Sequence, residues 1–204
     1  MKISENEKQL VKKAIEKAEE NTSGEILPVI LKSSDMYPAA HFRGALLLSA
    51  ISSFLTYLFI DFDDPIVLIW AQIVGLLVGY LLAFIPTIKR ILITQREVDE
   101  EVYQKALEVF FEHHVSQTVD RTGILILVST LEHKIEVLAD CGINSKVDEN
   151  YWNDIVEKLI IDIKNKQFIP GICKAIEDCG KKLEESFPRK ENDTNEIKDE
   201  LIIQ

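Results

Sequence analysis

Two apolar runs, Gly44–Ile60 and Ile66–Ile85, flank the pentapeptide Asp61-Phe62-Asp63-Asp64-Pro65, and neither contains an acidic or basic residue. At a helical rise of 1.5 Å per residue the second run reaches about 30 Å, the thickness of a bilayer's hydrocarbon core, and the first about 25 Å. A link this short forces the two helices into a tight antiparallel hairpin. A helical hairpin buried in a soluble core is the ordinary alternative, but uncharged runs of this length favour two membrane spans.

Orientation follows from the cations, because Lys and Arg stay on the cytoplasmic side. Lys32 and Arg43 precede the first run, and Lys89, Arg90 and Arg96 follow the second, whereas the link carries three Asp and no cation. Both flanks, and with them both termini, are expected on the cytoplasmic face of the inner membrane. Gly75 and Gly79 stand at GxxxG spacing and Ser49 and Ser53 at the same interval, which suits close packing inside the hairpin before it suits a dimer.

Residues 1–43 and 87–204 remain as soluble chain, enough for one domain, with 87–187 as its second part and 188–204 as an acidic tail. The first piece carries seven basic and seven acidic residues and the second sixteen and twenty-four, so the net charge of −11 lies mainly in the second. That surplus argues against nucleic acid and against a broad basic patch for anionic lipid. Cys141, Cys173 and Cys179 are odd in number and form no CxxC pair, as suits a reducing compartment. The start, Met1-Lys2-Ile3-Ser4-Glu5-Asn6-Glu7, is too polar for a secretory signal.

Ser4 and Glu7 form a capping-box pattern, followed by Leu10, Val11, Ala14, Ile15 and Ala18 on one face of a helix ending near Asn21–Gly24. A strand is expected over Glu25–Lys32, where Pro28 demands a sheet edge or a bulge. Arg96–His114 reads as a helix with Val98, Val102, Ala106, Val109 and Phe110 on its apolar side. Gly123–Ser129 is a continuous apolar strand, and Lys134–Ala139 alternates as a half-covered one. Helices follow from Asp148 and over Pro170–Ser186, with Pro170 in a first turn and Pro188 beyond the end. A strand, helix, strand succession makes the first two strands parallel, and the third returns antiparallel. The expected architecture is a small α/β sandwich interrupted by a transmembrane hairpin. The tail, polar until Leu201-Ile202-Ile203, is expected to be mostly unfolded, although such an ending can dock as a strand on a partner or on the domain's own edge.

Outside the hairpin the chain resembles the TPM domain family. Gly123-Ile124-Leu125-Ile126-Leu127-Val128 is similar to its "nGvLllv" strand, and Ala139-Asp140-Cys141-Gly142-Ile143 falls where it has a Gly-Tyr-Gly-Leu turn. Lys146-Val147-Asp148 looks like its "ltD" helix start, and Phe168-Ile169-Pro170-Gly171-Ile172 like its later "f..G" element. The likeness is to a bacterial branch with a membrane hairpin inside the domain, with Thr22-Ser23-Gly24-Glu25-Ile26 ahead of the hairpin and Asp120-Arg121-Thr122-Gly123 behind it. Two departures stand out: Asp140 replaces the first turn glycine, and His113-His114-Val115 replaces a tryptophan-containing segment. The resemblance implies a small three-layer α/β sandwich with a mixed sheet. The roles it implies are mixed, among them a thylakoid acid phosphatase, calcium-binding domains and an auxiliary protein of a neurotransmitter receptor, so fold alone does not carry function. No catalytic residue transfers.

The expected topology gathers the starts of strands one and two and the end of strand three at one end of the sheet. Glu25, Asp120, Arg121, Asp140 and Cys141 collect there, joined by His113, His114, Asp148 and Glu149, while the chain leaves for the membrane from the other end after Ser33, Ser34 and Asp35. Asp120, Asp140 and Asp148 are candidate oxygen ligands for calcium or magnesium. Their plain roles are a turn paired with Arg121, a strand end and a helix cap. Phosphoester hydrolysis at the same place would use a metal and Arg121 on the phosphate, although neither a P-loop nor a Cys-x5-Arg motif is present. Adjacent His113 and His114 diverge by about 100° on a helix and chelate one ion poorly. Cys173 and Cys179 suit buried thiols, and Trp70, Tyr80 and Trp152 suit packing or interface anchoring. The favoured expectation is a binding module, a cytosolic α/β domain held at the inner face of a membrane to recruit or stabilise another protein.

Overall fold

The computed structural model describes residues 3–61 and 63–204, together with the helical backbone, but not the side chain, of Glu149. Met1 and Lys2 of the polar start, Phe62 of the link and the Glu149 carboxylate therefore lie outside the described residues. The chain forms two compact units, residues 1–34 with 102–204, and residues 35–101. The second is wider than the apolar runs because it also takes in the segments that flank them.

The first unit is built on a mixed four-stranded sheet in the order β3-β2-β1-β4. Its strands are β1 (Glu25–Leu31), β2 (Gly123–Ser129), β3 (Lys134–Ala139) and β4 (Ile202–Ile203). β1 and β2 run parallel from Glu25↔Gly123 to Leu31↔Ser129, and β3 returns antiparallel on β2. The helix α1 (Glu5–Glu19) starts at the expected capping box, with Ser4 N–H donating to Glu7 at 2.8 Å and Glu7 N–H to Ser4 Oγ at 3.3 Å. Later helices are α6 (Cys141–Asn144), α7 (Glu149–Lys164) and α8 (Phe168–Ser186).

One sheet face, carrying Ile26, Ile30, Ile124, Ile126 and Val128, shares a core with Val11 and Ile15 of α1, Ile155 and Leu159 of α7, and Ile172, Ile176 and Leu183 of α8. Side chains alternate along a strand, so the buried Leu27, Val29, Leu125 and Leu127 point the other way. The helix α5 (Gln95–Glu112) carries a buried apolar stripe of its own, Val102, Ala106 and Val109. The result is a mixed four-stranded sheet with α1, α7 and α8 sharing the core on one of its faces.

The tail departs from expectation. Rather than being unfolded, it ends in β4, parallel to β1 with Val29↔Ile202 and Ile30↔Ile203 in register. Gln204 N–H donates to the Ile30 carbonyl and Lys32 N–H to the Gln204 carbonyl, both at 3.0 Å, and Leu201 joins the core. The apolar triplet Leu201-Ile202-Ile203 takes the option of docking on the domain's own edge. Pro28 is tolerated on the same geometry. Glu25 N–H bonds toward β2 and the Ile30 carbonyl toward the tail, so alternation turns the Pro28 nitrogen away from β2, just before the β4 ladder begins.

The second unit contains α2 (Pro38–Phe59), α3 (Ile66–Leu82), α4 (Pro86–Leu92) and the beginning of α5. α2 and α3 pack as an antiparallel pair, with Gly79 against Gly44 and Ala45, and Gly75 against Leu48 and Ser49. Added Cβ atoms would come within 2.7 Å of backbone atoms of α2 at either glycine, so the contact requires residues without side chains. The helix lengths are the reverse of those expected. Pro38 starts α2 early and extends it to 22 residues, while α3 stops at 17. Pro86 disfavours helix at Ile85, which is extended (φ −73°, ψ 121°), and α4 restarts bent by 108° from α3. Thr94 and Glu97 form a capping box at the start of α5, with Thr94 N–H donating to Glu97 at 2.9 Å. The same carboxylate takes both guanidinium nitrogens of Arg43 at 2.7 and 2.8 Å.

Candidate functional site

The end of the sheet where β1 and β2 begin and β3 stops gathers ionisable groups as the topology requires, but not in the expected groupings. Asp140 N–H donates to the Gly123 carbonyl at 2.9 Å. Its buried carboxylate caps α6 through Cys141 N–H at 2.6 Å. Arg121, in the left-handed region at φ 58°, closes on that carboxylate with Nη2 at 3.0 Å and Nε at 2.8 Å. Gly142 packs over the loop so closely that a Cβ would sit 2.6 Å from the carbonyl oxygens of both Asp120 and Arg121, which explains a glycine at that turn.

Asp120 does not pair with Arg121. It accepts from Lys190 Nζ of the tail at 2.6 and 2.5 Å. Asp148 caps α7, accepting from Asn150 N–H at 2.8 Å. Among the described residues no three His, Cys, Asp or Glu side chains are disposed to hold a metal ion, so Asp120, Asp140 and Asp148 are not brought together. Each is held by a cation or a helix end. Arg121, the residue expected to meet a phosphate, has its charge met by Asp140.

The histidines stand apart from these carboxylates. His113 Nε2 lies 3.4 Å from the side-chain nitrogen of Gln204, beside the strand that pairs with the far end of β1. His114 is exposed in a left-handed conformation (φ 60°) ahead of a short 3-10 turn, Val115–Gln117. All three cysteines are free, with Cys141 exposed and Cys179 buried. Burial raises the thiol pKa of both Cys173 and Cys179, which suits packing more than nucleophilic chemistry.

Glu19 and Glu25, the carboxyls that burial raises furthest, belong to a separate cluster. Glu19 from the last turn of α1, Glu25 at the start of β1 and Asp199 of the tail line a recess of about 130 Å³ with Glu16, Asp193 and Arg189. Glu19 accepts from Ile26 N–H at 2.7 Å. Glu25, only 5% exposed, accepts from Glu196 N–H at 3.1 Å and Ile197 N–H at 3.3 Å. Burial, with the nearby Glu25 and Asp199 charges, pushes Glu19 up to about 9. Burial also pushes Glu25 up to about 7, although the two tail amides oppose it. At roughly 30 Å³ per water the recess has room for a few waters or one small cationic group, not for a drug-sized substrate.

Glu25 was placed at this end by sequence, but Glu19 and Asp199 were not. Glu19 is six residues before Glu25 across a turn, a signal that was available. Asp199 joins only because the tail folds back. Another buried carboxylate lies at the opposite end of the sheet, where Glu132 accepts from Ser34 N–H at 2.8 Å and from the Ser129 hydroxyl. Two wider openings lie elsewhere on this unit. One of about 660 Å³, polar, lies between α1 and the tail beside Lys8, Lys12 and Lys198. The other, of about 260 Å³, has an apolar floor of Val128, Ile135, Ile160, Ile163 and Phe168.

Residues 86–182 match the sequence model of the TPM domain family, a stretch from α4 to most of α8 that leaves out α1, β1 and the tail. The NMR structure of the BA42 protein from the psychrophilic bacterium Bizionia argentinensis is similar in fold. It superposes with a TM-score of 0.63 over 100% of this chain and 97% of that one, at 20% identity. A likeness at that identity speaks to fold alone. No curated protein sequence matches the chain.

Proposed function

We propose that this chain is a membrane-anchored, TPM-like binding module: the 44–85 hairpin crosses the inner membrane twice, and the α/β unit it interrupts engages a protein partner from the cytoplasmic side. The observation that carries this is the exposure of α2 and α3. α2 is long and apolar enough to cross a bilayer, yet only 17% of its apolar window is buried. A core helix of a soluble protein would bury most of it. α3 has 17 residues, the lower limit for a span, and passes the same test together with α4. The side chains left bare include Phe54, Leu58, Trp70, Leu77 and Leu81, a surface that water tolerates poorly. Lys89 and Arg90 near one end of the hairpin and three Asp at the other support a cytoplasmic domain.

Binding rather than catalysis is supported by how the charged groups are used. Arg121 and Asp140 are engaged with each other, Asp120 with Lys190, and Asp148 with a helix end. The recess at Glu19 and Glu25 and the wide polar opening beside α1 are both bordered by tail residues, so the seated tail shapes the surface a partner would meet. Alkaline washing of membranes tests the anchor, and tags at both termini test the orientation. The chain should stay in the pellet, with both tags degraded only after the cytoplasmic face is opened to protease. Photo-crosslinking from the α/β unit in intact membranes should then give a discrete adduct. A chain released by the wash, or tags on opposite sides, overturns the anchor. Measurable phosphoester turnover without any adduct overturns the binding role.

A further inference from the structure

We infer that two copies of this chain pair within the membrane through α3, with the side-chain amides of their two Gln72 residues hydrogen-bonded to each other. This rests on the membrane reading above. The small-residue face of the hairpin is already spent, since Gly75 and Gly79 lie against α2 of the same chain. Two hydroxyls of α2 find partners inside the hairpin: Ser52 Oγ donates to the Ala71 carbonyl at 2.8 Å and Thr56 Oγ1 to the Ser52 carbonyl at 2.9 Å. Gln72 differs. It is the one amide side chain in either apolar run, and it is exposed. Its neighbours on that side of the helix, Ile69 and Leu76, are apolar and also exposed.

Gln72 lies six residues into α3, about 9 Å along the axis, too far for a two-methylene stem to carry its amide past the helix end. An amide facing hydrocarbon without a partner is unfavourable, and polar side chains in spans accordingly associate across helices. Copies of one chain insert with the same topology, so their Gln72 residues lie at the same depth. A carboxamide both donates and accepts, which makes it complementary to itself across a two-fold axis along the membrane normal. Ile69 and Leu76, one turn to either side, would pack around the amides. A different membrane protein would need a polar group at that same depth.

Energy transfer between donor- and acceptor-labelled full-length chains in phosphatidylcholine–phosphatidylglycerol vesicles tests the pairing, measured on protein that floats with the vesicles after an alkaline wash. The wild type should show transfer that rises with the protein-to-lipid ratio. Gln72→Leu should weaken association about fivefold, and Gln72→Asn should retain most of it. Leu77→Ala, about 140° round the helix from Gln72, should leave it unchanged. Floating wild-type chain without transfer, or Gln72→Leu associating as tightly as wild type, overturns the pairing alone. Chain that does not float overturns the membrane reading with it.

Discussion

α3 and α8 are of similar length, yet they bury opposite kinds of residue. α8 hides Ile169, Ile172, Ile176, Cys179 and Leu183 and turns its charges outward. α3 hides Gly75 and Gly79 and turns Trp70, Leu77 and Leu81 outward. Where water is the solvent, burial is driven by apolar area, so large side chains go in. Where hydrocarbon is the solvent that driving force disappears, and the smallest residues go in because they let backbones meet. If the hairpin lies in lipid, as proposed above, the two units of this chain follow two different rules of packing.

The sharpest way to break that comparison uses two positions of like exposure. Leu77 of α3 is 62% exposed and Ile161 of α7 57%. Leu77→Lys should cost about 3 kcal/mol of insertion free energy and shift the chain out of washed membranes, whereas Ile161→Lys should change stability by no more than about 0.5 kcal/mol in thermal unfolding. Equal tolerance at both sites would mean that both helices face water. Next in size on the α/β side, Ile176→Ala leaves a cavity in the core beneath β1. It should cost about 3 kcal/mol, a fall in Tm near 9 °C, with membrane retention unchanged.

Acidity should divide the units in opposite senses. Glu19 and Glu25 have folded-state pKa values raised to about 9 and about 7. Their contribution is therefore full below the unfolded value near 4.5 and is lost as pH rises toward 9. The α/β unit should lose several kcal/mol between pH 5 and 9, and Glu19→Gln should flatten most of that slope. Glu97 in the inserted unit is held down to about 2 by Arg43 and the Thr94 amide, so its contribution is present above pH 4.5 and fades as pH falls toward 2. Proteolysis near residues 93–97 should accelerate in acid, and a pH-independent cleavage rate there would remove this tie from consideration. The smallest expected effect comes from deleting residues 201–204. Loss of the β4 ladder and of buried Leu201 should lower stability by about 1.5 kcal/mol and speed hydrogen exchange on the β1 edge at Ile30 and Lys32.

What sequence made legible was whatever repeats locally. The capping box at Ser4, the β2 run and the β3 alternation stand close to where period and punctuation put them, because each depends on neighbours a few residues away. The tail and the candidate site were less legible for one reason. Asp199 reaches Glu19, Lys190 reaches Asp120 and Gln204 reaches Lys32 across 70 residues or more, and no local pattern encodes such pairings. The match to the TPM domain over 86–182 bears out part of the resemblance seen in Gly123–Val128 and Phe168–Ile172.

The sequence by itself determined that this chain carries two uncharged apolar runs inside an α/β pattern, since charge and periodicity are properties of the string. Only the tertiary structure decided that those runs expose their large side chains, that the last four residues close the sheet, and that Glu19, Glu25 and Asp199 share one recess. Burial and proximity are set by what packs against what, and a raised carboxylate pKa exists only once the groups that raise it have been brought together.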